Sequence, residues 1–345
     1  MPHCLKPSLL APTLIALSLG IPAVWAADQE LNLYSARHYK TDEALYKGFS
    51  EATGIKINRI EGKEDELFER IKREGSASPA DVFITVDAAR LQAADEAGLF
   101  TPVKSAVLEQ RIPAQFRAHD LQWFGFSYRA RVIAYNKKTI QPAQVATYLD
   151  LAKPAFKGKV CVRSGNHPYN LTLLASIINH QGAEQAAQWA NGIVSNLARA
   201  PKGGDTDQMR AIAAGECDLA LTNHYYYARL AASDKPEDRA LIETVGIIFP
   251  DQQTQGTHVN ISGGGMLKHA PHKEAAVKFM EYLASDAAQG YFANGNNEWP
   301  VVAEVKIDNP QLDALGSFKI DPLNASSLAK EIPQAQRLMD KAGWK

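Results

Sequence analysis

Strand-like and helix-like segments alternate along this chain in two separate blocks, and this alternation restricts the fold to the α/β class. The first block begins with QELNLYSA, a short alternating apolar segment, and continues with a helical pattern that stops at Gly54. It ends in DVFITVD, a β-rich run of the kind that is buried in parallel sheets. This order of elements predicts one α/β lobe.

The second block repeats the pattern from residue 158 onward. GKVCVRS and CDLALTN are typical of strands, and between them lie the helical patterns TLLASIINHQG, EQAAQWANGIVSNL and DQMRAIAAG. We expect WFGFSYRARVIAYNKK to carry the chain into this second lobe, and VGIIFPDQ with THVNISGGGML to bring it back. The predicted divisions are 27–127 for the first part of the N-terminal lobe, 128–250 for the C-terminal lobe, and 251–345 for the return and the C-terminal helices.

Two α/β lobes that are joined by more than one strand form a hinge, with a cleft between the lobes. In open α/β sheets, ligands bind outside the carboxyl ends of the strands. The predicted fold is therefore a two-lobe α/β architecture whose ligand lies in the interlobe cleft.

The start of the chain has the features of a signal peptide. Lys6 precedes an apolar stretch that ends at Ala26, and Pro12 and Pro22 interrupt the roughly 20 apolar residues that a membrane-spanning helix needs. We expect cleavage after Ala26, loss of Cys4 with the signal, and a soluble periplasmic protein.

Net charge and chain length limit the kind of ligand and the number of lobes. The 345-residue chain has a formal charge of −1, and removal of Lys6 leaves −2, so nucleic acid is not an expected ligand. The 319 residues that remain after cleavage (345 − 26) exceed what one hydrophobic core usually serves, in agreement with two lobes.

Two cysteines, Cys161 and Cys217, remain after the predicted cleavage. In an oxidising compartment a disulfide between them is the favoured interpretation, and two buried thiols on neighbouring strands are the alternative. No CxxC spacing occurs in the sequence, so a thiolate metal site is not expected.

Candidate ligands follow each of the four strands that should face the cleft. They are His38 and Tyr39, then Asp87, then Arg163, His167 and Tyr169, and finally His224, Tyr225, Tyr226 and Tyr227. A phenolate is a hard anionic oxygen donor, and a bound metal can displace the phenol proton. Three phenolates balance the charge of Fe(III), and a neutral imidazole from His38 could complete the coordination sphere. Zinc prefers thiolates and imidazoles, and calcium and magnesium prefer carboxylates and carbonyls.

Other interpretations of these residues stay open. A tyrosine run after a strand also serves as packing or as the wall of an organic-ligand site, and an isolated histidine is more often a surface or capping residue. In an extended segment consecutive side chains point to opposite faces. At most two of Tyr225, Tyr226 and Tyr227 would then reach one ion, unless the chain turns there.

Several segments resemble the periplasmic ferric-ion-binding proteins of bacterial ABC importers, which have the class II binding-protein fold, in the branch with a tyrosine-rich site. They are LNLYSARHYKTDEALY, ADVFITVDAARL, KGKVCVRSGNHPYNLTLLAS, KGGDTDQMRAIAAGECDLALTNHYYYARL, NISGGGML and NNEWPV, so the resemblance runs through most of the chain. Its most specific mark is the tyrosine pair after Asn223-His224. The resemblance implies five metal ligands, with Tyr227 as packing: His38, Tyr39, Tyr169, Tyr225 and Tyr226.

Other branches of this family use a carboxylate from the loop that here holds Asp87, together with a bound anion such as carbonate. Asp87 is shorter than the usual Glu, so we expect it to lie behind the ligands. Arg163 could hold the anion, orient a phenolate, or form a salt bridge within its own lobe.

The predicted function is capture of Fe(III) by closure of the two lobes, with an anion or water in the coordination sphere, and delivery to an ABC importer permease in the inner membrane. We expect a monomer. The alternative keeps the fold and places a small organic or oxyanion ligand against the tyrosines. An enzyme is not expected, since GxSxG, HExxH and P-loop motifs do not occur in the sequence. His38 would be a suitable ligand for either ferric or ferrous iron, so the sequence does not choose between them.

Overall fold

The computed structural model describes residues 1, 30–37, 39 and 41–345 of the chain. His38 and residues 2–26 of the predicted signal peptide, including Cys4, lie outside the described residues. Within these ranges the strands are β1 Glu30–Ser35, β2 Lys56–Glu61, β3 Val82–Thr85, β4 Phe124–Asn136, β5 Val160–Cys161, β6 Leu219–Asn223, β7 Val245–Ile248, β8 Val259–Met266 and β9 Trp299–Pro300.

The α-helices of the described chain alternate with these strands. They are α1 Asp42–Thr53, α2 Glu64–Glu74, α3 Ala88–Glu96, α4 Ala106–Arg111, α5 Pro168–Ser195, α6 Asp205–Ala213, α7 His224–Ala231, α8 Pro236–Thr244, α9 Lys273–Leu283, α10 Asp286–Asn296, α11 Pro310–Asp313 and α12 Ala325–Ala342. Helix α1 ends as predicted at Gly54, whose φ of 74° lies in the left-handed region that glycine tolerates. Among the residues described, no helix combines the length and apolar character needed to cross a bilayer.

The strands form a mixed sheet that passes from one lobe to the other through β4. The order is β2-β1-β3-β8-β4-β6-β5, and β7 and β9 also pair with β4. Strand β1 is parallel to β2 and β3, whereas β8 is antiparallel to β3 and β4. Residues 124–130 of β4 pair with β8, and residues 131–136 pair with β6 and β7.

Two large hydrophobic cores lie on either side of this crossing. One contains Leu31, Phe49 and Phe279, and the other contains Trp189 and Leu219. Each of these side chains is at most 1% exposed. The predicted two-lobe α/β fold is therefore confirmed, with β4 as the outward crossing and β7 followed by β8 as the return. The divisions at 127/128 and 250/251 stay a prediction.

Helix α12 contacts both lobes. Ala325, at its start, belongs to the first core, whereas Ala335 and Met339 belong to the second. The helix packs along α5 and also against α3. The end of the chain is thus tied to the lobe that carries β5 and β6.

Two local predictions differ from the structure. The segment GKVCVRS contributes only Val160–Cys161 as strand, because the chain then turns into the loop that leads to α5. The two helices predicted between residues 172 and 197 form one continuous element, α5. It is kinked at Gly182, where φ is 81°. A glycine accepts this positive φ without the steric cost of a Cβ.

Cys161 and Cys217 form a disulfide, with their Cα atoms 6.0 Å apart. The bond joins the end of β5 to the turn that precedes β6. These two strands are parallel neighbours, with Cys161 opposite Ala220. The predicted disulfide is confirmed, and it holds together the two strands that precede the helices with Tyr169 and Tyr225.

Replacing both cysteines by alanine is expected to lower the free energy of unfolding by about 4 kcal/mol, because the bond spans 56 residues of sequence. Urea denaturation of the parent and of the Cys161→Ala/Cys217→Ala variant measures this difference. Equal unfolding midpoints for the two proteins would contradict a stabilising role for the disulfide.

Candidate metal centre

Tyr169, Tyr225 and Tyr226 lie together where the strands of the C-terminal lobe end. The Oη atoms of Tyr169 and Tyr225 are 3.2 Å apart and share a hydrogen bond. The ring centroids of Tyr225 and Tyr226 are 4.2 Å apart. Residues separated by 56 positions in sequence thus bring their phenol groups into direct contact.

The tyrosine run begins a helix and does not continue β6 as an extended segment. Asn223 still has extended angles, with φ −87° and ψ 140°, and α7 starts at the next residue. Successive side chains of a helix differ in direction by about 100°, whereas successive side chains of a strand point to opposite faces. Tyr225 and Tyr226 therefore stay close, while the Oη of Tyr227 donates to the Val245 carbonyl at 3.3 Å.

The loop between β5 and α5 positions Tyr169 in the first turn of α5. His167 caps this helix, because its Nδ1 accepts the backbone N–H of Tyr169 at 3.2 Å. Burial, followed by the charge of Arg163, lowers the pKa of His167 to about 3. The imidazole therefore stays neutral and keeps its acceptor for the cap.

Tyr39 approaches the same place from the N-terminal lobe. Its ring lies edge-on to that of Tyr225, with centroids 6.4 Å apart. Its Oη donates to Oε1 of the buried Glu298 at 3.1 Å. Glu298 also accepts from Ser127 Oγ at 2.5 Å and lies 3.4 Å from Nη1 of Arg37. The cluster therefore contains side chains from both lobes.

Burial keeps the phenols of Tyr39, Tyr169 and Tyr225 protonated in the absence of a cation. It raises the pKa of Tyr169 to about 12, against the lowering effect of the Arg129 charge. Burial also raises the pKa of Tyr225 well above its ordinary value, and does the same for Tyr39 with the help of Glu298. Ionisation of these groups needs a positive charge at the phenol oxygens.

Arg129 is a buried guanidinium behind the tyrosines. It is 1% exposed, and its carbon Cζ lies 5.4 Å from the centroid of the Tyr169 ring. Nη1 donates to Ser262 Oγ at 3.2 Å, whereas Nε and Nη2 have no hydrogen-bond partner among the described residues. Arg129 thus places positive charge beside phenols that are neutral.

Arg163 forms a salt bridge within its own lobe. Its Nη1 lies 3.0 Å from Oδ1 of Asp205, and Nη1 of Arg131 lies 2.6 Å from Oδ2 of the same carboxylate. The Arg163 guanidinium also lies 5.2 Å from the centroid of the Tyr169 ring. This geometry matches the salt-bridge alternative for Arg163 and still leaves it next to a phenol.

Asp87 caps helix α3. Its Oδ1 accepts the backbone N–H groups of Ala89 and Arg90 at 2.9 and 3.2 Å, and its Oδ2 accepts from Asn260 Nδ2 at 2.7 Å. Burial raises the pKa of this carboxyl. Both oxygens are therefore engaged in holding α3 to β8.

His224 joins the tyrosine helix to the hinge. Its Nδ1 accepts the Ala130 N–H at 3.1 Å, its Nε2 lies 2.8 Å from the Asn297 carbonyl oxygen, and its ring stacks on Trp299 at 3.8 Å. Burial lowers the pKa of His224 to about 3. The neutral ring accepts at one nitrogen and donates at the other, so neither is available to a metal.

A cleft of about 580 Å³ opens in front of Tyr169. Its wall includes four acidic side chains and two basic ones: Glu61, Glu64, Glu66, Asp87, Arg37 and Lys63. An acidic wall raises the local concentration of cations. The arrangement suits a positively charged ligand that reaches the Tyr169 phenol.

Arg129 and Glu298 are site residues that the sequence analysis missed. Arg129 had a usable signal, because it and Arg131 stand two positions apart in an otherwise apolar strand and must share a face. Glu298 lies in NNEWPV, one of the segments that carry the resemblance, but nothing in the sequence showed that it contacts Tyr39, which is 259 residues away. No described residues form a cluster of three or more His, Cys, Asp or Glu side chains able to hold a metal.

Comparison with known proteins places this architecture among extracellular solute-binding proteins. Residues 44–318 match the family described as bacterial extracellular solute-binding protein. The chain is 50% identical over 317 residues to iron uptake protein A1 of Synechocystis sp., covering 92% of this chain and 88% of that protein. It is 29% identical over 340 residues to the Fe(3+)-binding periplasmic protein of Serratia marcescens, covering 98% and 97% of the two chains.

Solved structures give a similar result. A Trichodesmium protein in complex with iron and citrate ligands is 54% identical and superposes with a TM-score of 0.88, covering 92% of this chain and all of that chain (100%). The ferric binding protein from Campylobacter jejuni is 45% identical with a TM-score of 0.86, covering 91% and 100%.

Proposed function

We propose that this chain, which belongs to the family of bacterial extracellular solute-binding proteins, captures ferric iron between its lobes and delivers it to an ABC importer. The observation that carries the proposal is the group of tyrosines from both lobes, in which the buried Tyr169 and Tyr225 already touch through their oxygens and Tyr39 and Tyr226 are half-buried. Relatives over nearly the whole chain are named for iron uptake or ferric binding.

Tyr169, Tyr225 and Tyr226 would supply phenolate oxygens from the C-terminal lobe, and Tyr39 would add a fourth as the N-terminal lobe closes. His38, next to Tyr39 in sequence, is proposed as a further ligand on the resemblance alone. Phenolate is a hard anionic donor, which matches a small trivalent cation. The protein would bind its cargo without chemical turnover.

Charge balance supports ferric cargo. Four phenolates exceed the charge of Fe(III) by one, and Arg129 supplies a buried positive charge beside Tyr169. In a buried site such compensation matters more than at the surface, because solvent screens it less. Fe(II) would leave a larger uncompensated negative charge on the same four oxygens.

Arg163 and Asp87 are proposed to support the site from behind. Arg163, held on Asp205, would orient the Tyr169 phenolate, and Asp87 would keep α3 and β8 together. An anion or water from the cleft would fill any position of the coordination sphere that the protein leaves open.

Closure would take place about the two crossings, near the proposed divisions at 127/128 and 250/251. We propose that the protein works in the periplasm as a monomer after removal of a signal peptide, with an inner-membrane permease as its partner. Lobe opening at the permease, protonation of the phenolates or reduction of the iron would each weaken the site.

A visible absorption titration of the metal-free protein with a ferric chelate tests the proposed site. A broad phenolate-to-iron charge-transfer band is expected in the parent and in Tyr227→Phe, because Tyr227 donates to Val245 away from the cluster. The band should be lost in Tyr225→Phe/Tyr226→Phe. A folded parent without this band would contradict ferric binding and favour an organic or oxyanion ligand.

Iron affinity is expected to fall as the pH falls, because phenols that are protonated in the free protein must lose their protons to bind. Burial raises the pKa of Tyr39, Tyr169 and Tyr225. Each displaced proton makes the affinity rise about tenfold per pH unit, so the logarithm of the affinity should rise with a slope of about 4, one for each of the four proposed phenolates.

Competition with a ferric chelator of known pH dependence, between about pH 6 and about pH 8, measures this slope. Tyr225→Phe should reduce the slope by about 1, since one proton fewer is displaced. An affinity that does not change with pH would be inconsistent with phenolate ligands.

A further inference from the structure

Trp344, beyond the end of α12, packs against the loop that leads to Tyr169. Its indole Nε1 donates to the carbonyl oxygen of Arg163 at 3.0 Å. The side chain is 2% exposed, and its ring centroid lies 5.8 Å from that of Trp189 in the second core. The indole therefore connects a hydrophobic core to the backbone of the loop.

Gly165 allows this close contact. A Cβ at Gly165 would lie 2.3 Å from the Trp344 carbonyl oxygen and 2.9 Å from atoms of the indole ring. Both distances are below van der Waals contact, and the oxygen is a backbone atom, so a side chain at Gly165 would force the loop and Trp344 apart. The loop thus lies directly against Trp344 with no room for a side chain between them.

Asn170 holds the same loop through further hydrogen bonds. Its Nδ2 donates to the Ser164 carbonyl at 2.9 Å and to the Arg163 carbonyl at 3.3 Å, and its Oδ1 accepts from Arg131 Nη2 at 2.9 Å. The Arg163 carbonyl therefore receives donors from Trp344 and from Asn170 at once. We call these hydrogen bonds from Trp344 and Asn170 to the loop the clamp. Asn170 directly follows Tyr169, so the clamp acts next to the residue whose phenol bonds Tyr225.

We propose that Trp344 is a positioning residue of the metal site: it fixes the 163–167 loop and, through it, the direction of the Tyr169 phenol. This inference rests on the proposed ferric site. Trp344 would touch neither the ion nor any phenol oxygen. Its effect on iron binding would therefore have to pass through Tyr169.

Trp189 provides a matched control. It belongs to the same hydrophobic core, and its indole Nε1 also donates to a backbone carbonyl, that of Tyr148, at 2.7 Å. Trp344→Phe and Trp189→Phe therefore remove equivalent groups from one core. Only the first change removes a hydrogen bond to the loop.

The test is a double-mutant cycle between Trp344 and Tyr169. Trp344→Phe and Trp189→Phe are each made in the parent and in a Tyr169→Phe background, and ferric affinity is measured by chelator competition. Trp344→Phe should weaken binding about three- to tenfold in the parent, the range expected for one lost hydrogen bond. It should change binding by less than about twofold when Tyr169 is already Phe.

Trp189→Phe should lower Tm by about as much as Trp344→Phe does, but it should leave ferric affinity unchanged. If Trp344→Phe does not fold, Gly165→Ala is the second variant and should give the same dependence on Tyr169. Equal weakening in both backgrounds, or equal weakening by Trp189→Phe, would overturn the positioning role.

A parent that binds no ferric iron would overturn the proposed function instead. Amide hydrogen exchange at residues 165–171 then tests the clamp without iron. Trp344→Phe should speed this exchange and Trp189→Phe should not. Unchanged exchange in Trp344→Phe would show that the indole does not hold the loop.

Discussion

Strand β4 is the element on which both lobes and the candidate site depend. Its first half pairs with β8 and its second half with β6 and β7, so one run of backbone hydrogen bonds continues across the hinge. Side chains alternate along the strand, so Arg129 and Arg131 lie on one face. Their Cζ atoms are 5.4 and 5.8 Å from the centroid of the Tyr169 ring. Between them, the Ala130 N–H bonds His224, the first residue of the tyrosine helix. Lobe connection and site electrostatics therefore share the same residues.

Burial gives the tyrosine cluster its selectivity for charge. Phenols removed from water resist ionisation, and this raises the pKa of Tyr39, Tyr169 and Tyr225. The arginine charges nearby oppose that effect without ionising the phenols. A cation that forms strong bonds to oxygen can displace the protons. A neutral ligand cannot, because it brings no positive charge to stabilise a phenolate. These three phenols are thus neutral in the free protein, and in the proposed site they would become anionic only when a metal binds.

Much of the fold could be predicted from local patterns, because most of the longer strands and helices carry their own periodicity. The crossing by β4 was expected from a segment rich in aromatic and β-branched residues, and the return through β7 and β8 from the strand-like segments VGIIFPDQ and THVNISGGGML. The start of α7 at His224 could not be predicted, since Tyr-Tyr-Tyr is equally compatible with a strand and the turn depends on the tertiary bonds of His224. Asp87 and Arg163 lie in the loops that follow β3 and β5, but their capping and salt-bridge partners, Asn260 and Asp205, lie far away in sequence. His38 lies outside the described residues, so its place in the site stays a prediction.

The most direct measurement is anomalous X-ray diffraction at the iron absorption edge, from crystals of the protein loaded with ferric iron. A single strong anomalous peak is predicted within bonding distance of the Oη atoms of Tyr169, Tyr225 and Tyr226, with the 3.2 Å hydrogen bond between Tyr169 and Tyr225 replaced by bonds to the metal. An iron peak away from these oxygens, or crystals of loaded protein in which that hydrogen bond persists unchanged, would contradict the tyrosine site.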